Sequence, residues 1–170
     1  MERLPNTRGC FCCGLENPAG LHLQVHTDRR IVETRFSLRP EFCGFKNTIH
    51  GGITATVLDE IMAWACGVGA QTFAYCAEMT VRFKKPAHPG AELVARGEVV
   101  ESNRRLIQCR AELRDAAGEL LAEATGKYTP LRGPLHDLML ADFLEDPSHV
   151  LGLKPAGATK TPPPPPAPTP

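Results

Sequence analysis

The sequence predicts an α+β domain in which one long buried helix lies against one face of an antiparallel sheet. Three observations lead there. Residues 50–65 are apolar around most of a helix's circumference. The segments on both sides alternate apolar and polar residues, as half-buried strands do. The order is strand, strand, helix, then four strands in a meander joined by short turns.

Leu21–His26 and Ile31–Phe36 alternate, with polar Thr27-Asp28-Arg29 between them, and predict a hairpin. Arg39–Ile49 is expected as a loop, with Phe42 and Phe45 as packing anchors in preference to pocket walls. In the helix, Ile53, Val57, Ile61, Trp64 and Val68 follow helical spacing, and Leu58, Met62 and Ala65 widen the stripe. Gly51 and Gly52 open it, so backbone N–H groups at its start can approach a ligand. Cys66-Gly67-Val68-Gly69 is expected to end it by glycine punctuation.

Beyond the helix, Met79, Val81 and Phe83 share one strand face and Thr80, Arg82 and Lys84 the other. Leu93–Val100 and Leu106–Leu113 flank the turn signal Glu101–Arg105, and Asp115–Gly118 leads into Glu119–Tyr128. Leu135–Leu144 is expected as a short helix, with Leu138, Leu140 and Phe143 as its contacts. Thr159–Pro170 is proline-rich and expected to be extended and disordered.

Two charges interrupt the apolar helix, Asp59 and Glu60. A carboxylate there is costly unless it has partners or work to do. Gly51 and Asp59 are eight residues apart, roughly 12 Å along a helix axis. They cannot reach one small reacting group from the same chain. If both act on one substrate, the site combines two copies of the chain, with two such helices side by side and antiparallel.

His50-Gly51-Gly52, seven residues and then Asp59 on a long helix resembles the PaaI-type branch of the hotdog-fold acyl-CoA thioesterases. Glu78–Pro86 followed by Pro89-Gly90 is similar to that family's third strand and the turn after it, and the resemblance covers about residues 9–131. It implies a curved antiparallel sheet wrapped around the helix, and pairing into a dimer or dimer of dimers. It divides the chain into a Cys-containing lead-in at 1–20, a hotdog domain at 21–131 and an extension at 132–170.

Thioester hydrolysis needs a polarised carbonyl and an activated water or a carboxylate nucleophile. The resemblance implies that the Gly51 N–H polarises the carbonyl and that Asp59 of the partner subunit acts as general base or nucleophile. Glu60 points about 100° away and is the second choice of base. The substrate-binding candidates are His50, Gly52, Asn47, Lys85, Arg104 and Arg105. The two arginines lie at a hairpin where the family tends to bind the nucleotide end, and Arg can fork onto phosphate. Two positions depart from the family pattern. Gly44 stands where Asn or Gln often holds the carbonyl or the water, with Asn47 the nearest amide. Lys85 stands where Ser or Thr often holds the water.

The function expected is therefore an acyl-CoA thioesterase that needs no cofactor. A non-catalytic acyl-CoA-binding protein, sensor or carrier, is the alternative that the two departures favour and Asp59 disfavours. A hotdog dehydratase is a third reading, but those enzymes use an Asp/His pair on a differently arranged helix, and no histidine follows Asp59 on this one. Trp64, Met62 and Phe73 suggest by their bulk a pocket for aromatic or medium-chain acyl groups.

The composition narrows the classes further. Nineteen basic residues balance nineteen acidic ones, so no strong field draws nucleic acid or a membrane surface. Met1–Cys10 lacks a signal peptide's apolar run, and no apolar stretch is long enough to span a bilayer. Seven cysteines, an odd number mostly in apolar contexts, fit reduced thiols in a cytoplasmic protein. Cys10-x-x-Cys13 is half of a zinc motif, with Cys43, His22 and His26 as distant partners, but no second pair follows at finger spacing. A structural turn is the reading preferred, with no metal expected.

Overall fold

The computed structural model describes residues 1–151. The expected disordered tail at 159–170 lies outside them.

Helix α1, Gly51–Gly69, forms where the helical stripe predicts. Its residues Val57, Leu58, Ile61 and Met62 are fully buried. Removing each from water stabilises the fold by about 1.5–3 kcal/mol. They bury against an antiparallel sheet whose strands are β1 (Glu2–Arg3), β2 (Val25–Thr27), β3 (Val32–Phe36), β6 (Ala74–Phe83), β7 (Leu93–Ser102), β8 (Ile107–Asp115) and β9 (Leu120–Pro130). The spatial order is β1-β2-β3-β7-β8-β9-β6. This is the hotdog arrangement, and among the described residues β6 is a free edge of its sheet.

Period-2 alternation selects the sheet's inner face. Leu93, Ala95, Ile107, Cys109, Ala111, Leu113, Ala122, Ala124 and Tyr128 are buried there. Gly97 admits the helix closely, since a Cβ at that position would sit 2.6 Å from Ile61 Cγ2. Helix and edge strand run antiparallel. Gly51 lies against the Phe83 ring at one end, and Gly67 against the Phe73 ring, just before β6, at the other.

Several expectations are corrected. The first strand is shorter than Leu21–His26, because Leu21 and Leu23 donate their N–H groups to Phe11 and Cys12 of the lead-in instead of a strand partner. The expected loop at 39–49 contains a 3-10 turn at Pro40–Phe42 and a small hairpin, β4 (Cys43–Phe45) with β5 (Thr48–Ile49). Phe42 packs on the core, but Phe45 is 81% exposed and anchors nothing within the chain. The helix does not end on a left-handed glycine: Ala70 caps it in right-handed conformation, and the positive φ falls on Gln71. Gly67 and Gly69 serve close packing instead, against Phe73 and Val99.

The short helix expected near 135–144 is α2, Pro134–Ala141. Leu138 is exposed, whereas Phe143 stacks edge-on against Trp64, with centroids 5.8 Å apart. The last described turn, α3 (Ser148–Leu151), buries Leu151. The chain beyond residue 145 is therefore not wholly solvated. Lead-in and extension also meet each other: Arg8 and Leu144 donate backbone N–H groups to Asp142 and Asn6. Among the described residues no helix is long and apolar enough to cross a membrane.

Candidate functional site

His50 caps α1. Its φ and ψ of −59° and 132° are extended, and its Nδ1 accepts the Gly52 N–H at 2.9 Å. That bond places the ring proton on Nε2 when the imidazole is neutral. His50's backbone carbonyl accepts from Ile53 and Thr54. Gly51, the first helical residue, has no intrahelical acceptor for its N–H, which stands at the positive end of the helix dipole.

A cavity of about 410 Å³ opens at this helix start. His50, Gly51, Lys85 and Gly44 contribute to its rim, and Phe45, Phe83, Leu113 and Leu121 make much of the wall apolar. Lys85 is ion-paired with Glu119. Gly44, the position of the missing amide, is filled by the histidine: a Cβ there would lie 2.8 Å from His50 Cδ2. Gly52 is constrained likewise, since a Cβ would sit 2.9 Å from His50 Nδ1. Asn47 turns with a φ of 59°, and its backbone carbonyl is 2.6 Å from His88 Nδ1. Trp64, Met62 and Phe73, expected near an acyl pocket, are buried in the core and line none of this cavity.

Asp59 does not reach the cavity of its own chain. The Tyr128 hydroxyl donates to Asp59 Oδ1 at 2.6 Å. Thr56, three residues before Asp59, donates instead to the Gly52 carbonyl at 2.8 Å. Burial, then the neighbouring Asp59 carboxylate, pushes the Tyr128 phenol far above its ordinary value, so it remains a donor. Tyr128 has its place because Gly126 lacks a side chain, as a Cβ there would meet Tyr128 Cε2 at 2.6 Å. Sequence reasoning missed Tyr128. The available signal was a lone phenol on the inward face of β9, among small residues, facing a helix that carries an acid.

Glu60 has a different surrounding. Its Oε1 accepts from Trp64 Nε1 at 2.9 Å, and Cys10 Sγ lies 3.7 and 3.8 Å from its two oxygens. Burial, with Cys10 adding to it, pushes the Glu60 carboxyl up to about 7. Glu60 thus faces the lead-in rather than the cavity.

Arg104 and Arg105 line a separate groove with Tyr75, Arg132 and Leu135. Tyr75 pairs with Thr129 and Phe83 with Ala122. The arginines and Gly51 are therefore near opposite ends of the β6–β9 ladder, about 26 Å apart along β6. A larger hollow of about 520 Å³ lies on the outer sheet face, among Arg96, Arg110, Glu98 and Glu112, away from the helix start.

Residues 46–122 match the model of the thioesterase superfamily. The fold has the same relatives among solved structures. A thioesterase superfamily protein aligns at 22% identity over 75% of this chain and 70% of its own, with a TM-score of 0.68. The Escherichia coli PaaI protein, from the phenylacetic acid degradation operon, aligns at 19% identity over 66% of this chain and 82% of its own, with a TM-score of 0.62. A hypothetical thioesterase from Streptococcus pneumoniae, solved with coenzyme A, aligns at 14% identity over 64% of this chain and 85% of its own, with a TM-score of 0.60. A search of curated proteins gives no match.

Proposed function

We propose that this protein hydrolyses acyl-CoA thioesters at sites shared between two chains. The observation that carries this is the division of the machinery along one helix. The Gly51 N–H stands at an apolar cavity, and Asp59, held by Tyr128, lies two turns away outside it. The match of residues 46–122 to the thioesterase superfamily model supports thioester chemistry, and the coenzyme A in the S. pneumoniae structure supports an acyl-CoA as substrate.

The assembly follows from the free edge. β6 is a ten-residue strand with one side unpaired among the described residues, and such edges recruit partners. Two-fold pairing through β6 sets two antiparallel α1 helices side by side. Asp59 of the partner subunit then comes toward Gly51. The partner's arginine-bearing end also comes toward the cavity, where Arg can fork onto the phosphates of coenzyme A.

In this site the thioester carbonyl accepts from the Gly51 N–H, which lowers the energy of the developing oxyanion. The carboxylate of Asp59 takes a proton from water as the water adds to the carbonyl carbon, or it attacks that carbon itself. The carbon–sulfur bond then breaks and coenzyme A leaves as its thiol, taking the proton held by Asp59; on the nucleophilic route the thiolate is protonated by water, which hydrolyses the mixed anhydride on Asp59 and releases the acid. His50 Nε2–H is the second donor at the cavity, in place of the amide absent at Gly44. Phe45 and Phe83 cover the acyl group.

The test is thiol release from a panel of acyl-CoAs by wild type and Gly51→Pro. Proline is tolerated at the first helical position and removes the N–H, its ring adding carbons beside Phe83, and His50 already has the extended backbone that precedes proline. Hydrolysis by wild type and its loss in a folded Gly51→Pro protein are the expected results. A second reading is acyl-CoA binding without turnover, favoured by the Lys85–Glu119 pair where a water-holding hydroxyl is usual. Tight binding of acyl-CoA by wild type without thiol release would select it.

A further inference from the structure

We propose that Cys10, Cys12 and Glu60 form a binding site for a thiophilic divalent metal ion, with zinc the best match. The lead-in and the middle of α1 meet here, and one ligand atom from each of the three residues lies within 4.8 Å of the others. Glu60 supplies what the cysteine motif lacks in sequence, a further ligand placed by tertiary contact fifty residues on.

The spacing suits a tetrahedral ion. Zinc–sulfur bonds of about 2.3 Å and zinc–oxygen bonds of about 2.0 Å put neighbouring sulfur and oxygen ligands roughly 3.5 Å apart. Cys10 Sγ lies 3.7 and 3.8 Å from the Glu60 oxygens. Little movement is needed to enclose an ion.

The surroundings are those of a ligand set. Trp64 Nε1 donates to Glu60 at 2.9 Å and fixes the carboxylate's orientation. The Cys12 backbone N–H points at Cys10 Sγ at 3.3 Å, where it supports thiolate charge. The turn that brings the thiols together is tight. Gly14 donates to the Cys10 carbonyl at 2.9 Å, and a Cβ at Gly14 would come within 2.4 Å of that oxygen. Cys13 Sγ contacts Thr7 Oγ1 at 3.3 Å and stands outside the cluster of three, so a water completes four-coordination. A bound divalent ion would offset most of the charge of two thiolates and a carboxylate held this close. The mixed sulfur and oxygen donors favour zinc over magnesium or calcium.

Such an ion would clip the lead-in onto the helix one residue from Asp59. Its role is to hold α1 in place, and thioester hydrolysis is not routed through it. The inference does not depend on the proposed hydrolysis.

The experiment uses full-length protein, stripped with chelator and fully reduced under anaerobic conditions. Titration with Co2+ is followed by absorption, and Zn2+ affinity by competition with a chromophoric chelator. The expected result is one metal per chain, a thiolate-to-cobalt charge-transfer band, and a melting temperature that rises with Zn2+. Cys10→Ser, a change at a half-buried position, should weaken Zn2+ at least about 100-fold and diminish the band, as loss of a direct ligand outweighs the 10–100-fold of an outer contact. Glu60→Gln should weaken Zn2+ while keeping the band. Cys43→Ser, outside the cluster, should bind as wild type. Reduced wild type without the band, or Cys10→Ser that binds Zn2+ as wild type does, would overturn the proposal.

Discussion

The hydroxyl of Tyr128 donates to Oδ1 of Asp59 across 2.6 Å, joining the inner face of β9 to the middle of α1. One strong hydrogen bond to a carboxylate orients it. The residue that the proposed mechanism needs as base is thereby aimed.

Tyr128→Phe should keep the fold, because the ring is fully buried and its volume is conserved. The hydrogen-bond loss costs about 1–3 kcal/mol of stability. Hydrolysis should fall about tenfold or more, in kcat rather than KM. Steady-state kinetics with urea unfolding checks both. An unchanged kcat would detach Tyr128 from catalysis.

Asp59→Asn should lower hydrolysis by about two to four orders of magnitude, the range for a lost acid–base group. The amide oxygen still accepts from Tyr128, so the melting temperature should stay within a few degrees. Thiol release from the preferred acyl-CoA measures the rate. Full activity in Asp59→Asn would remove it from the mechanism.

Gly126→Ala should disturb the same pair from behind. The new methyl needs space already held by Tyr128 Cε2, so the ring must shift away from Asp59. Overpacking of this kind costs about 1–3 kcal/mol. Activity should drop alongside stability, and Thr125→Ala, at an exposed neighbouring position, should change neither.

Phe143→Ala removes the ring that sits against Trp64 and Phe73, at centroid distances of 5.8 and 5.6 Å. Because Phe143 is only partly buried, the loss should be about 2 kcal/mol, below the range for a fully enclosed phenylalanine. Chemical denaturation measures it. No loss of stability would show that the extension does not support the helix.

A mixed dimer tests the shared site. Asp59→Ala and Gly51→Pro chains are each expected to be inactive. In a mixed dimer one site inherits both defects and the other neither. Random mixing should restore about a quarter of wild-type activity, since about half the dimers are mixed and each has one sound site. Mixed dimers verified by mass with no recovered activity would place a complete site in each chain.

The helix and the meander were legible in the sequence because they rest on local periodicity. An apolar stripe over 51–69 has no comfortable home except a buried helix, and alternation after Ala74 assigns each strand its inner face. The separation of Gly51 from Asp59 was legible too, since helical rise alone sets it. Three things required the tertiary structure. Tyr128 meets Asp59 across 69 residues, Cys10 meets Glu60 across 50, and the His50 ring takes the space beside Gly44. Phe45, an apolar residue that sequence assigned to packing, stays in solvent because it sits at the turn end of its hairpin, while Ile49 at the other end takes the core position. Local pattern says which face a residue occupies. Which residue it meets there depends on how the helix crosses the sheet and how the chain ends fold back, and those are settled by close packing over the whole domain.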